Sequence, residues 1–187
     1  GGGMFISSCM IFDSRIHNND FNGFNSNGNV QNGGGIHSQG SFIKNCKIYN
    51  NSASWGGGLY ISNDSIVNCH IYENGAEFGS IAFSGNHTSY IINSILTNKN
   101  HFRGTEIIDH WSGENNLHII NSILDASYNT SNGSTDNCSN RAINLRKPNI
   151  KVYFTNSILI GNVTFSNQYA QFHAKNSYFT YGWGADN

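Results

Sequence analysis

Apolar residues occupy every second position in short runs along the chain, and bends rich in glycine, asparagine and serine separate these runs. In residues 56–78 the runs are Leu59-Tyr60-Ile61, Ser65-Ile66-Val67 and Cys69-His70-Ile71. Alternation with period two and a high content of β-branched residues are typical of strands rather than helices. The pattern therefore predicts three short strands in this unit.

The same unit recurs from one end of the chain to the other. Residues 33–55 align with residues 56–78 without a gap, which gives a period of 23 residues. A fixed period of this length indicates a solenoid, in which each repeat stacks on its neighbours. A core of the form apolar-x-x-Asn-small-x-apolar, with Asp13 replacing the asparagine in the first copy, is found at 11–16, 42–48, 65–71, 90–96, 118–124, 153–159 and 173–179.

An asparagine stands at the tight bend between the second and third strands. Asparagine tolerates left-handed backbone geometry, and its amide can hydrogen-bond the backbone at such a bend. Stacked coil on coil, these amides are expected to form an asparagine ladder with a spacing of about 4.8 Å. We call Asn45, Asn68, Asn93, Asn121, Asn156 and Asn176 the bend asparagines; their spacings of 23, 25, 28, 35 and 20 residues indicate loop insertions of variable length.

These patterns predict an all-β protein, a right-handed single-stranded parallel β-helix with three short strands per coil and about seven coils with variable loops. We predict a right-handed coil because connections between parallel strands of one sheet are almost always right-handed. We expect residues 1–187 to form a single β-helix domain. Because the chain starts within a repeat and shows no obvious capping element, we expect it to be a fragment of a longer protein.

The composition argues against several functional classes, namely proteins that bind nucleic acid and proteins that bind or span a membrane. Charged residues make up 11% of the chain, and the formal net charge is −1. This balance argues against binding to nucleic acid or to an anionic membrane surface. No apolar run approaches the roughly 18 residues that a spanning helix needs, so we expect no membrane span in this segment. The polar surface comes instead from uncharged residues, including 31 asparagines.

The repeat resembles known β-helix families. Gly-Gly-Gly-Ile at 33–36, Gly-Gly-Gly-Leu at 56–59 and Phe-Ile-Lys-Asn at 42–45 are similar to the repeats of polymorphic outer-membrane proteins and autotransporter-adhesin passenger domains. More broadly, the chain resembles the pectate-lyase-like superfamily. The resemblance covers nearly the whole chain and implies the architecture. Its members include adhesins, lyases, hydrolases and epimerases, so it does not select a function.

The outward positions of the first strands form a column beside the glycine motifs. We expect this column to read Phe5, His37, Tyr60, Ala82, Ile108 and Asn144. In the resembling polysaccharide enzymes this face is the substrate groove, and aromatic rings there could stack on sugars. The candidate ligand-binding residues are Phe5, His37, Tyr60 and Trp111. The alternative is that the stripe serves loop packing or a subunit contact.

The densest group of titratable residues is Glu106-Ile-Ile-Asp109-His110-Trp111, with Arg103 just upstream. Asp109, His110 and Arg103 are candidate catalytic residues, because a carboxylate, an imidazole and a guanidinium can serve acid–base chemistry. Asp109 aligns with inward positions, which indicates a local shift of register. Neighbouring coils supply few matching acids, so the sequence favours a non-enzymatic role.

The outward residues of the third strands change from polar to apolar along the axis. Ile95, Ile123, Ile158 and Tyr178 are expected to form an exposed apolar face that needs a cover. Either the loop at 126–140 or another protein chain could supply it. The sequence analysis favours a partner chain or a neighbouring domain, and these four residues are the candidate interface.

Cys46 and Cys69 align in adjacent coils, within reach of a disulfide, although a stack of buried free thiols is equally consistent with their positions. No Cys/His spacing typical of a metal site is present, and no cofactor is implied. Seven sequons provide candidate glycosylation sites at Asn50, Asn63, Asn86, Asn129, Asn132, Asn137 and Asn162.

Taken together, the sequence predicts an extracellular or cell-surface β-helix module with a structural or adhesin-like role. Its expected partners are other protein chains or the rest of a longer polypeptide, and glycans are a further possibility. The alternative is a polysaccharide lyase or glycoside hydrolase that works in the first-strand groove. Clustered acids and bases on the first-strand face favour the enzyme, whereas a continuous apolar face favours the structural module.

Overall fold

The computed structural model of the 187-residue chain describes residues 2–20, 32–97, 106–110, 113–127 and 141–180. Over these ranges the chain is a right-handed parallel β-helix of about seven coils with three short strands per coil. The predicted fold class is confirmed. No helix in the described ranges has the length and apolar character that crossing a bilayer requires.

Three parallel sheets of seven strands run along the described part of the rod. The first sheet contains Met4–Ser7, Ile36–Gln39, Leu59–Ser62, Ile81–Phe83, Ile108–His110, Arg141–Leu145 and Asn162–Phe165. The second contains Met10–Phe12, Phe42–Lys44, Ser65–Val67, Thr88–Ile92, Asn116–Ile120, Lys151–Thr155 and Gln171–Lys175. The third contains Arg15–His17, Lys47–Tyr49, His70–Tyr72, Ile95–Thr97, Ile123–Asp125, Ile158–Ile160 and Tyr178–Phe179. A small two-stranded sheet joins Ser52–Trp55 to Gly75–Phe78.

The interior of the rod is built from stacks of branched aliphatic side chains. Equivalent repeat positions pair directly, as Ile43 does with Ile66 and Ile48 does with Ile71. These four side chains are buried, as are the inward residues of the coils that follow. Because side chains alternate between the two faces of each strand, every second residue enters this core and the others point outward.

The bend asparagines adopt the left-handed conformation predicted for them. Their φ angles lie between 49° and 57°, and Asp13 has the same geometry. The bend asparagines are exposed. The Asn68 amide donates to the Asn45 side-chain oxygen at 3.3 Å, and the Asn45 amide donates to an Asp13 carboxylate oxygen at 2.9 Å.

A second asparagine ladder, which the sequence analysis did not predict, lies inside the early coils. We call Asn19, Asn51 and Asn74 the inner asparagine ladder. The Asn19 amide donates to Asn51 Oδ1 at 2.8 Å, and the Asn51 amide donates to Asn74 Oδ1 at 3.0 Å. Asn74 donates in turn to the Ile48 carbonyl oxygen at 2.8 Å. Buried amides are stabilised here because each is hydrogen-bonded.

The inner asparagine ladder explains part of the glycine motif. A Cβ on Gly58 would lie 2.8 Å from the side-chain atoms of Asn74, and a Cβ on Gly57 would overlap the carbonyl group of Gly75. Only glycine lets the backbone pass this closely. The repeated Gly-Gly-Gly therefore marks the place where the chain packs against the inner ladder and the small sheet.

Candidate functional site

The outer face of the first sheet carries one continuous column of side chains. The strand register pairs equivalent positions in the order Phe5, His37, Tyr60, Ala82, Asp109, Asn144 and Thr164, and we call this the first-sheet column. Parallel neighbours are separated by about 4.8 Å. The column predicted from the sequence is confirmed at Phe5, His37, Tyr60, Ala82 and Asn144.

The prediction that Ile108 points outward is wrong. Ile108 pairs with Ile81 and is fully buried, so Asp109 takes the outward position beside Ala82. Ile107 is buried as well. Ile107 precedes the strand Ile108–His110 and Ile108 begins it, and alternation alone could not show which of the two isoleucines belongs to the inward stack.

The N-terminal end of the first-sheet column is aromatic and open. Phe5 is 61% exposed, and His37 and Tyr60 are half-buried. The Phe5 and His37 rings meet edge to face at 4.9 Å between centroids, and so do those of His37 and Tyr60. Partial burial lowers the pKa of His37, which favours its neutral form. The three rings thus form a largely apolar stripe on the outside of the rod.

The C-terminal end of the column contains acids and bases packed together. We call Glu106, Asp109, Arg141 and Arg146 the ion cluster. Arg146 Nε lies 3.0 Å and 2.9 Å from the two carboxylate oxygens of Asp109. Glu106 Oε1 lies 3.4 Å from Arg146 Nη2 and 3.5 Å from Arg141 Nη1. Two carboxylates and two guanidiniums meet, so the formal charges balance.

The two acids of the ion cluster are buried, whereas the arginines reach the surface. Asp109 is 0% exposed, and the side chains of Arg141 and Arg146 are 18% and 26% exposed. Burial raises the pKa of the Asp109 carboxyl to about 7; Arg146 opposes the rise and Glu106 adds to it. Asp109 therefore exchanges its proton near neutral pH.

Aromatic side chains from the small sheet border the ion cluster. Trp55 and Phe78 stack at 4.1 Å between ring centroids. The Arg146 guanidinium carbon lies 5.1 Å from the Phe78 centroid, a distance at which a cation is attracted by the ring face. Arg146 thus contacts Asp109, Glu106 and Phe78 at once.

His110, the other candidate catalytic residue that the structure describes, does not join Asp109 on the outer face. His110 points inward: it is fully buried, meets the Phe83 ring edge to face at 4.6 Å, and has Nε2 3.1 Å from Asn115 Nδ2. Strand alternation thus places the side chains of Asp109 and His110 on opposite faces of the first sheet. Arg103 and the candidate ligand-binding residue Trp111 lie outside the described residues.

The sequence analysis did not identify Arg141 and Arg146. Arg141 begins the strand Arg141–Leu145 and Arg146 directly follows it; this strand comes after the long insertion between the fifth and sixth coils. The pairing of Ile108 with Ile143 and of Asp109 with Asn144 sets the two strands side by side. This register brings the arginine side chains to Asp109 and Glu106. Because the spacing between repeats is irregular here, the sequence did not predict this register, and no local motif indicates it.

The apolar face of the third sheet is present as predicted. Ile95, Ile123, Ile158 and Tyr178 pair in register and point outward. Ile95 is 44% exposed, Ile158 39% and Tyr178 64%, and Ile123 is half-buried. Toward the N-terminus the same column continues with His70, Lys47 and Arg15.

The second sheet carries an aromatic stack that the sequence analysis missed. Tyr90, His118, Tyr153 and His173 form what we call the Tyr/His stack. Successive centroids lie 5.1, 4.6 and 5.1 Å apart, with interplanar angles of 20° or less. Burial lowers the pKa of His118. Each inner ring is covered on both faces by its neighbours, so the stack presents ring edges to the solvent.

Cys46 and Cys69 are buried free thiols in the structure, the alternative to a disulfide that the sequence left open. Their Sγ atoms lie 3.2 Å and 3.3 Å from the carbonyl oxygens of Lys44 and Val67. Burial raises the pKa of Cys46, and it raises that of Cys69 to about 12. The Cys69 backbone N–H donates to Ser94 Oγ at 3.1 Å, which begins a run of equivalent serine bonds in the next coils.

The candidate glycosylation sites differ in access. Asn50, Asn63 and Asn86 are exposed, and Asn162 is half-buried in the strand Asn162–Phe165. Asn129, Asn132 and Asn137 lie outside the described residues. Within the described ranges no group of three or more His, Cys, Asp or Glu side chains is arranged to hold a metal ion.

Comparison of the chain with known protein families, curated proteins and solved structures finds no match. We therefore infer function from the side chains on the outer faces of the three sheets.

Proposed function

We propose that the protein is an extracellular or cell-surface, adhesin-like β-helix module that contacts glycans through the first-sheet column. The observation that carries the proposal is the continuity of this column. Three partly exposed rings, Phe5, His37 and Tyr60, stand in register with Asp109 of the ion cluster, and only Ala82 separates Tyr60 from Asp109.

The aromatic end supplies the apolar contact that sugar rings need. Aromatic side chains offer a large rigid surface at a low cost in conformational entropy. Phe5, His37 and Tyr60 contact each other edge to face, unlike the inner rings of the Tyr/His stack, which are covered by face-to-face neighbours. For this reason the first-sheet column is the better surface for stacking on a sugar.

The polar end supplies hydrogen-bond donors. The guanidinium groups of Arg141 and Arg146 are held in place by buried carboxylates, yet part of each side chain remains at the surface. A pre-organised donor loses little entropy when a sugar hydroxyl binds to it. An apolar stripe with a few fixed polar groups at one end is the combination found in carbohydrate and other small-ligand sites.

A rod with low charge and uncharged polar loops suits an extracellular or cell-surface position. Charged residues make up only 11% of the chain, and Asn50, Asn63 and Asn86 provide exposed sequons. These features support the proposed location together with the resemblance to adhesin repeats.

One observation favours a second candidate function, a polysaccharide lyase or glycoside hydrolase. Asp109 has a pKa of about 7 and contacts an arginine on the predicted groove face, and perturbed carboxyls of this kind are frequent in active sites. A general base must, however, reach the proton that it removes. Asp109 is fully buried and both of its oxygens contact Arg146, which makes it a poor general base and supports the binding module as our first proposal.

The two functions are separated by testing binding and cleavage on the same panel of neutral and acidic polysaccharides. The binding module predicts retention on at least one glycan without release of new chain ends, and Tyr60→Ser should weaken retention. Tyr90→Ser, the same change on the second sheet, is the matched control. Cleavage that Asp109→Asn abolishes would instead establish the enzyme, and absence of retention on every glycan would contradict the proposed function.

A further inference from the structure

The apolar face of the third sheet continues around the bend asparagines onto the second sheet. Ile92 and Ile120 are half-buried, point outward at the end of their strands, and stand just before Asn93 and Asn121. The exposed Ile95 and the half-buried Ile123 stand two residues after the same bends. We call Ile92, Ile95, Ile120, Ile123, Ile158 and Tyr178 the corner patch.

Three cations lie beyond the N-terminal end of the corner patch, separated from it by the coil that carries Val67 and His70. Lys44 belongs to the outward column of Ile92, and Lys47 and Arg15 belong to that of Ile95. Asp13 is the nearest acid on the intervening bend, and it accepts a hydrogen bond from Asn45. Neither of these two outward columns contains an acid, so this end of them is positive in a chain whose formal net charge is −1.

From this arrangement we propose that the corner patch docks an amphipathic helical segment of another protein, apolar along one face and acidic at one end. The coil spacing is about 4.8 Å and a helical turn rises about 5.4 Å, so one apolar side chain per turn can meet each successive coil. The acidic end lies over Lys44, Lys47 and Arg15, and opposite charges favour this direction of docking because the other end carries one cation, Lys175, in the same outward columns.

The charge pattern argues against a second copy of the chain as the occupant. In a parallel pair the cationic ends would lie against each other. In an antiparallel pair Lys44 and Lys47 would face the region of Lys175 and Tyr178, which brings no acid from either outward column. Like charges directly opposed lower the affinity of an interface.

The chain's own loop is also a poor occupant on composition. Residues 128–140 read Tyr-Asn-Thr-Ser-Asn-Gly-Ser-Thr-Asp-Asn-Cys-Ser-Asn and contain one large apolar residue, Tyr128. A cover for several aliphatic side chains needs matching apolar area, because the hydrophobic contribution scales with the area removed from water. A partner with a full apolar face meets this need.

The test uses the 187-residue chain and two fluorescein-labelled synthetic helical peptides with one leucine per turn. One peptide carries glutamates in its terminal turn and the other carries lysines there. Fluorescence anisotropy should show at least about tenfold tighter binding of the glutamate peptide, which corresponds to about 1.4 kcal/mol. Raising the salt concentration should reduce this preference.

Three variants make the test specific to the corner patch. Ile95→Lys combined with Ile158→Lys should weaken binding at least about tenfold, whereas Tyr169→Lys, at an exposed apolar residue outside the corner patch, should not. Lys47→Glu should remove or reverse the preference for the glutamate peptide. Circular dichroism checks that each variant is folded, which is expected because these side chains point outward.

Binding of neither peptide, equal binding of both, or binding that the double isoleucine variant leaves unchanged would overturn the proposal. A dimer in light scattering that the same double variant abolishes would identify a second copy as the occupant and would overturn it too. Because the first-sheet column lies on another sheet, Tyr60→Ser should leave peptide binding intact. Failure of the glycan proposal is thus distinguishable from failure of this one.

Discussion

Arg146 Nε lies within 3.0 Å of both carboxylate oxygens of Asp109, although the two residues are 37 positions apart in sequence and stand in adjacent coils. Around this contact the outer face of the first sheet is occupied by buried, ion-paired side chains. The aromatic end of the same column is exposed to solvent at Phe5. The proposed glycan surface is therefore bounded on one side by a pair whose charge state depends on pH.

Asp109→Asn should alter how stability depends on pH. The ordinary Asp pKa is 3.8 and the folded-state pKa of Asp109 is about 7, so between these values the folded protein holds a proton that the unfolded chain releases. Linkage then requires the unfolding free energy to fall as pH rises from about 4 to about 7. Urea unfolding at several pH values should show that Asp109→Asn lacks this contribution, whereas Asp125→Asn on the third sheet retains it. A difference between wild type and Asp109→Asn that does not vary with pH would contradict the assignment.

Replacing Arg146 by methionine should destabilise the fold. Above the folded-state pKa of Asp109, at about pH 8, the change leaves a buried carboxylate without its guanidinium. We expect a loss of about 3 kcal/mol, the low end of the range for buried pairs, because Arg146 is partly exposed. Combining Arg146→Met with Asp109→Asn should recover part of this loss. A double-mutant cycle from urea unfolding measures the coupling, and additive effects would show that the contact contributes nothing.

The two asparagine ladders should respond differently to the same substitution. Asn74→Gly removes a buried amide that bonds Ile48 and Asn51, so we expect a loss of about 3 kcal/mol in unfolding free energy. Asn68→Gly should change it by less than about 1 kcal/mol, because Asn68 is exposed and glycine accepts its φ of 53°. Equal losses in thermal or urea unfolding would contradict the distinction between inner and bend asparagines.

Cys46 and Cys69 should resist thiol reagents in the native state. Both are buried, and the raised pKa of each disfavours the reactive thiolate. The experiment uses a Cys9→Ser, Cys138→Ser background purified without reductant. Ellman's reagent should label neither thiol before unfolding and both afterwards. Fast labelling of the native protein, or no free thiol after unfolding, would contradict the buried free-thiol state.

The fold could be predicted from the sequence because two successive repeats have the same length and align without a gap. The gapless alignment of residues 33–55 with 56–78 led directly to the pairing of Ile43 with Ile66 and of His37 with Tyr60. The left-handed bends followed from asparagine's local chemistry, which depends little on tertiary context. Outward and inward positions on these strands then followed from alternation.

The candidate site was only partly predictable because it lies where the repeat is irregular. Asp109 was identified, but Arg146 directly follows a strand that lies inside the longest interval between bend asparagines, from Asn121 to Asn156, so its partner could not be assigned from spacing. The Tyr/His stack was missed for a different reason. Tyr90, His118, Tyr153 and His173 are the first residues of four aligned repeat cores, so the alignment already places them in one column, but this outward column was not compared position by position.

The most direct test of the proposed function is affinity electrophoresis of the 187-residue chain. The gels contain a polysaccharide that retained the protein in the panel described above. The account predicts that Phe5→Ser combined with Tyr60→Ser lowers affinity at least about tenfold. Tyr90→Ser combined with Tyr178→Ser, which removes two outward rings from the other sheets, should leave the affinity unchanged. Equal retardation of wild type and the Phe5/Tyr60 variant would contradict the claim that the first-sheet column is the glycan-binding face.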